Sequence, residues 1–168
     1  PDTYNIYKGE PEGAIIVNMV SRFREVFTDD LKKRAVAVGL SINDLLTLAS
    51  VVEKETGQAS ERPRIARVFL NRLKKGMMLQ SDPTVIYGIK DFNGNLTKKD
   101  LLTETPYNTY RRRGLPAGPI ANPGLDSIKA VLYPEDGPYL YFVSMNGGTH
   151  YFSKTLSEHN RAVYRYQI

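Results

Sequence analysis

Two glutamates stand close together where a long apolar helix should end. Residues 42–56 read INDLLTLASVVEKET, and Glu53 and Glu55 are its last two acids. At about 100° per residue, Ile42, Leu45, Leu46, Ala49 and Val52 share one face. Leu48 and Val51 point elsewhere, so the helix is apolar over most of its circumference and is predicted to be enclosed on several sides. A carboxyl at the end of such a helix loses hydration, which penalises the ionised form and raises its pKa. A glutamic acid kept neutral near pH 7 can donate a proton, as protonation of a leaving oxygen in glycosidic cleavage requires. The commoner alternative is an ordinary helix end with two solvated or salt-bridged acids. Helical projection puts Glu53 nearer the main apolar stripe than Glu55, so spacing alone does not single out Glu55.

Other chemistries find less support. His150 and His159 are nine residues apart and lack an H-E-x-x-H pattern, so no metal site is expected. The absence of cysteine excludes disulfides, thiolate metal sites and a thiol nucleophile. No G-x-S-x-G or phosphate-binding loop is present, and Gly147-Gly148 belongs to a turn, so no cofactor is expected. The net charge of +5 and pI of about 9.4 fit either a solvated basic surface or an anionic partner. The densest basic cluster, Arg111-Arg112-Arg113, is a weak patch.

The elements that must position these residues follow from periodicity and caps. Residues 1–13 read as an extended segment, with a short strand over Thr3–Tyr7. Ile15, Ile16, Met19, Val20, Phe23, Val26 and Phe27 recur at helical spacing and predict a helix from Ala14 to Val38. Ser41 is a good N-cap for the central helix, with Asp44 in its first turn and Gly57 beyond its end. A helix from about Ser60 to Gly76 carries Ile65, Val68, Phe69 and Leu73. Asp82-Pro83 should open a short helix through Tyr87, Thr97 another near Leu101, and Asn122-Pro123 one through Leu132. Thr105–Pro123, with four prolines, two glycines and three arginines, reads as a long irregular loop. Tyr139–Met145 and Thr149–Phe152 form a hairpin around Asn146-Gly147-Gly148, and Ser157 should cap a last helix carrying His159 and Asn160. Helices outnumber strands and do not alternate with them, so the class is α+β: a helix-rich domain with a small antiparallel hairpin.

The strings LASVVEKET (48–56), ASER (59–62), VFLNRL (68–73), MLQSDPTVIYG (78–88), YNTY (107–110), GLPAGPI (114–120), NPG (122–124) and YLYFV (139–143) occur in one order. In type, order and spacing they resemble the YceG-like endolytic murein transglycosylases, from about residue 40 to the C-terminus. The resemblance implies that the second glutamate of E-K-E, Glu55, is the catalytic acid. It implies a non-hydrolytic cut between N-acetylmuramic acid and N-acetylglucosamine that leaves 1,6-anhydro ends. Residues 41–168 would be the catalytic domain, and residues 1–40 part of, or a linker to, a LysM-like subdomain. A membrane anchor, a location at the cell membrane facing the periplasm or exterior, and peptidoglycan synthases as partners are implied in the same way.

The reaction that the resemblance implies requires only one carboxyl, because its nucleophile is the substrate's own C6 hydroxyl. Neutral donors, rather than a second carboxylate, are therefore expected near the reacting sugar. Gln80, Asp82, Tyr87, Tyr107, Asn108, Thr109 and Asn122 are candidate substrate contacts: amides and hydroxyls for N-acetyl and hydroxyl groups, tyrosine faces for sugar rings. Helix capping explains Asp82 and Asn122 equally well, and core packing explains Tyr87. Arg111, Arg112 and Arg113 are candidates for lactyl and stem-peptide carboxylates. A non-catalytic glycan-binding module of the cell envelope is the main rival. Nucleic-acid binding is disfavoured, since the basic and aromatic strings of RNA modules are missing.

Overall fold

Eight α-helices and one two-stranded antiparallel sheet make up the chain in a computed structural model that describes residues 1–168. The helices are α1 (Glu12–Val26), α2 (Asp29–Ala37), α3 (Ile42–Glu55), α4 (Arg62–Lys74), α5 (Asp82–Tyr87), α6 (Lys98–Leu102), α7 (Leu125–Leu132) and α8 (Leu156–Gln167). The strands β1 (Tyr141–Ser144) and β2 (His150–Ser153) lie between α7 and α8. The class is α+β, as the sequence implies.

Helix α3 is the axis of the fold. Ser41 caps it by accepting the Asp44 N–H at 3.0 Å. Leu45, Leu48, Ala49, Val51 and Val52 are all fully buried, so the helix is enclosed around most of its girth. It packs on α4 and α7, which supply Ile65, Ala66, Phe69, Ile128, Val131 and Leu132 to one core. Phe27, Leu31 and Ala35 join the same core. Each large side chain buried there contributes about 1.5–3 kcal/mol. Ser50, also fully buried, donates to the Thr47 carbonyl and accepts the Ile120 N–H at 2.9 Å, tying the irregular loop to the middle of α3.

Several boundaries differ from expectation, each for a local reason. The helix predicted over Ala14–Val38 breaks at Phe27-Thr28, because Thr28-Asp29-Asp30 starts a new helix with two acids at its positive end. Residues 3–7 form no strand, for want of a partner. The cap of α5 is Ser81 rather than Asp82, that of α7 is Gly124 rather than Asn122, and that of α8 is Thr155 rather than Ser157. Thr155 wins because Glu158 completes a reciprocal capping box with it. The hairpin pairs Tyr141 with Ser153 and Ser144 with His150, and Asn146 and Gly148 take the left-handed turn positions. Phe142 of β1 meets Phe69 of α4 edge-on, and α8 packs across the hairpin. The C-terminal unit is thereby set beside the end of α3.

Candidate active site

The two glutamates separate sharply. Glu53 is fully engaged by the protein. Its Oε2 accepts from the Gly124 N–H at 3.0 Å and the Ser127 hydroxyl at 2.6 Å, and its Oε1 pairs with Arg62 at 3.2 Å. Burial pushes its pKa up, but these bonds and the Arg62 charge outweigh burial and hold it below the ordinary carboxylate value. Glu53 is a tether between α3 and the start of α7.

Glu55, two residues on, points into an open cleft of about 310 Å³ lined also by Arg72, Leu79, Gln80, Asp82, Tyr110, Tyr141, Phe142, Leu156 and His159. Burial pushes its pKa up to about 7. The Ser81 hydroxyl bond and the Arg72 charge oppose this, and the Asp82 charge adds to it. Ser81 Oγ donates to Oε1. Oε2 has no protein partner and is not sealed from solvent, so it is the oxygen free to carry a proton into the cleft.

The floor of the cleft is built by a strained turn. Gln80 is one of few non-glycine residues with positive φ (49°), a conformation that costs about 1–2 kcal/mol. That twist lets consecutive residues serve two partners. The Leu79 carbonyl accepts from Arg72 Nη1 at 2.7 Å, while Ser81 turns its hydroxyl to Glu55. Thr109 fixes the turn: its carbonyl accepts the Gln80 N–H at 3.1 Å and its hydroxyl the Ser81 N–H at 3.0 Å. Thr84 links to Thr109 at 2.8 Å and to the Ser81 carbonyl at 2.6 Å.

The far wall comes from the hairpin and α8. His159 stacks on Tyr141 with ring centres 5.2 Å apart. Burial, then the Arg72 charge, lowers the His159 pKa, so the imidazole is neutral at pH 7, and its Nδ1 is buried without a partner. Tyr110 donates to Asp82 Oδ1 at 2.6 Å. Burial and that bond raise the phenol's pKa and keep it protonated. Asp82 thus brings a second carboxylate to the cleft, where neutral donors alone were expected.

Of the residues singled out in the sequence, Glu55, Gln80 and Asp82 come together here. The others lie elsewhere. Thr109 is buried beneath the turn. Asn108 is fully buried, donating to the carbonyls of Asp100, Leu101 and Thr103, which fastens α6 to the loop. Tyr87 and Tyr107 pair edge-on at 4.7 Å outside the cleft. Asn122 lines a separate apolar groove beneath α1. Arg111 pairs with Glu104, Arg113 donates to the Gly76 carbonyl, and none of the three loop arginines lines the cleft. Sequence reasoning missed Arg72, Ser81, Tyr110, Tyr141, Phe142, Leu156 and His159. One signal for Arg72 was present: it follows Val68 and Phe69 by one turn, so it is an arginine on the buried stripe of α4.

Comparison with known proteins supplies the context for this arrangement. The YceG-like family model matches residues 1–165. The chain is 42% identical to a Bacillus subtilis protein named endolytic murein transglycosylase, over 90% of this chain and 41% of that protein. It is 32% identical to a Streptococcus pneumoniae protein of the same name, over 97% of this chain and 30% of that one. A crystal structure of a yceG-like protein from Listeria monocytogenes superimposes with a TM-score of 0.83 at 40% identity, over 96% of this chain and 52% of that chain. The chain thus spans less than half the length of these curated relatives. With its family match running almost end to end and the fold shared with a yceG-like structure, the chain belongs to the YceG-like family.

Proposed function

We propose that this chain is the catalytic domain of an endolytic peptidoglycan lytic transglycosylase, with Glu55 as its single acid–base group. The observation that carries the reading is a carboxyl that holds its proton up to about pH 7 and turns one unpartnered oxygen into an open cleft. The names of the Bacillus and Streptococcus relatives supply the substrate class.

Glu55 Oε2 donates its proton to the glycosidic oxygen between N-acetylmuramic acid and N-acetylglucosamine as the bond to the anomeric carbon breaks. The C6 hydroxyl of the same muramic acid attacks that carbon, and its proton passes to the Glu55 carboxylate. A 1,6-anhydro end forms and the resting acid is restored. Because the nucleophile is already attached to the substrate, no water need be held in place and no covalent enzyme intermediate is required. Burial keeps Glu55 neutral at rest, and Ser81 stabilises the carboxylate formed in mid-reaction.

Asp82 supports a second reading, since hydrolytic glycosidases use a pair of carboxyls. Its hydrogen bond from Tyr110 and its effect on Glu55 fit an electrostatic role better: its negative charge favours the protonated form of Glu55. Product analysis separates the possibilities. Isolated glycan strands treated with the protein should yield anhydro-muramic ends by mass spectrometry. Reducing muramic ends would indicate hydrolysis, and unchanged strands that nonetheless bind would indicate a recognition module. Glu55→Gln should abolish the anhydro product.

No single helix of the chain is long and apolar enough to cross a membrane. We propose nevertheless that the protein works at the cell membrane, on the periplasmic or extracellular side where its polymer lies. Peptidoglycan synthases are the partners to test first.

A further inference from the structure

Arg72 is an unusual cation. It is 7% exposed, yet it takes part in none of the chain's salt bridges. Nε donates to the Leu140 carbonyl and Nη1 to the Leu79 carbonyl, both at 2.7 Å, and the guanidinium lies over the Tyr141 ring at 5.2 Å. Nη2 has no protein partner and is not sealed off, and Arg72 lines the cleft that Glu55 shares. A buried charge is costly unless an opposite charge answers it. Carbonyls orient this guanidinium without neutralising it. Glu55 beside it answers the charge only in part, because burial holds its pKa up to about 7, and the Asp82 charge is felt at Glu55 but not at Arg72. Tyr110 and Tyr141 are phenols, and His159 is a neutral imidazole whose pKa the same Arg72 charge depresses.

We infer that Arg72 is a specificity-determining residue that reads a carboxylate on the glycan through its free Nη2 edge. This deepens the proposed function and rests on its substrate being a carboxylate-bearing glycan. Two sources carry that chemistry: the lactyl carboxylate of denuded strands and the carboxylates of stem peptides. Neutral polymers of N-acetylglucosamine carry neither. Binding also couples to catalysis. An anion on Arg72 cancels the positive charge that opposes protonation of Glu55, so the bound complex holds the catalytic proton to higher pH than the free protein.

The test uses denuded and peptide-bearing strands, each native and methyl-esterified. Affinity for the Glu55→Gln protein is measured by calorimetry, so that binding is scored whether or not cleavage occurs. Esterification of at least one strand type should weaken binding roughly tenfold or more, the size of a lost charge-assisted hydrogen bond. The strand type affected identifies the source. Adding Arg72→Gln should flatten the native-to-ester ratio to near one, and Arg72→Lys should keep part of it. A purely structural Arg72 would weaken native and esterified forms alike. If Arg72→Gln fails to fold, the ester comparison with Arg72 intact still decides, because equal affinity for both forms of both strands overturns the inference. On the wild-type protein with native strands, the descending pH limb of kcat should lie above that of kcat/KM, and coincident limbs would count against the coupling. Failure to form anhydro ends from any strand would instead overturn the catalytic reading and leave the binding result standing.

Discussion

Two glutamates two residues apart were given opposite tasks by what meets them. Glu53 accepts from an N–H, a hydroxyl and a guanidinium; Glu55 accepts from one hydroxyl and faces a cleft. Glu53→Gln should therefore destabilise the fold by about 1–3 kcal/mol at pH 7, read from urea unfolding, while activity per folded molecule persists. Because the Glu53 pKa is depressed, that stabilisation is present above its ordinary value of 4.5 and fades as pH falls below it. At Glu55 the neighbours act as opposed levers. Asp82→Asn removes a charge that favours protonation, so the descending limb of the pH–rate profile should move to lower pH. Ser81→Ala removes a bond that favours the carboxylate, so the limb should move to higher pH. Movement of both in one direction would contradict these assignments. The sequence could not separate the glutamates: helical projection favoured Glu53, and only the resemblance pointed to Glu55. The deciding contacts, from Gly124 and Ser127, lie more than seventy residues away.

At the scale of elements, local signals were the legible ones. Ser41 and Asp44 marked the start of α3, Thr97 that of α6, and Asn146-Gly147-Gly148 the hairpin, all through contacts within a few residues. Non-local ones were obscured. Tyr107-Asn108-Thr109-Tyr110 carries the amide and hydroxyls of a sugar site, yet only Tyr110 lines the cleft, while Asn108 and Thr109 spend their hydrogen bonds on α6 and on the turn before α5. That turn stores strain at Gln80. Gln80→Gly, which tolerates positive φ, should keep stability within about 1 kcal/mol of wild type, whereas the β-branched Gln80→Val should lose more than that. Denaturant midpoints check the pair, and equal losses would show that the backbone at this position is not restrictive.

Across the whole molecule, the hydrophobic pattern of α3 foretold a helix buried on several sides, and the core forms around it. The sequence did not reveal that the hairpin and α8 would fold back to close a cleft over the end of that helix. The pairs that do so, such as Phe142 on Phe69 and Arg72 on the Leu140 carbonyl, carry no local signature. Enclosing Glu55 has a cost for the entire fold. Its pKa rises from an ordinary 4.5 to about 7, and at about 1.36 kcal/mol per pH unit its ionisation costs the native state about 3 kcal/mol above pH 7. The cost is absent below pH 4.5, accrues between 4.5 and about 7, and is complete above that. Glu55→Gln should accordingly melt higher than wild type at pH 8 and converge with it as pH falls below 4.5. The most direct test is to titrate the glutamate side-chain carboxyls by NMR, assigning Glu55 by its disappearance in Glu55→Gln. One carboxyl titrating near pH 7, and missing from the variant, is expected; if every glutamate titrates below about pH 5, no proton is held at the cleft and Glu55 is not its acid.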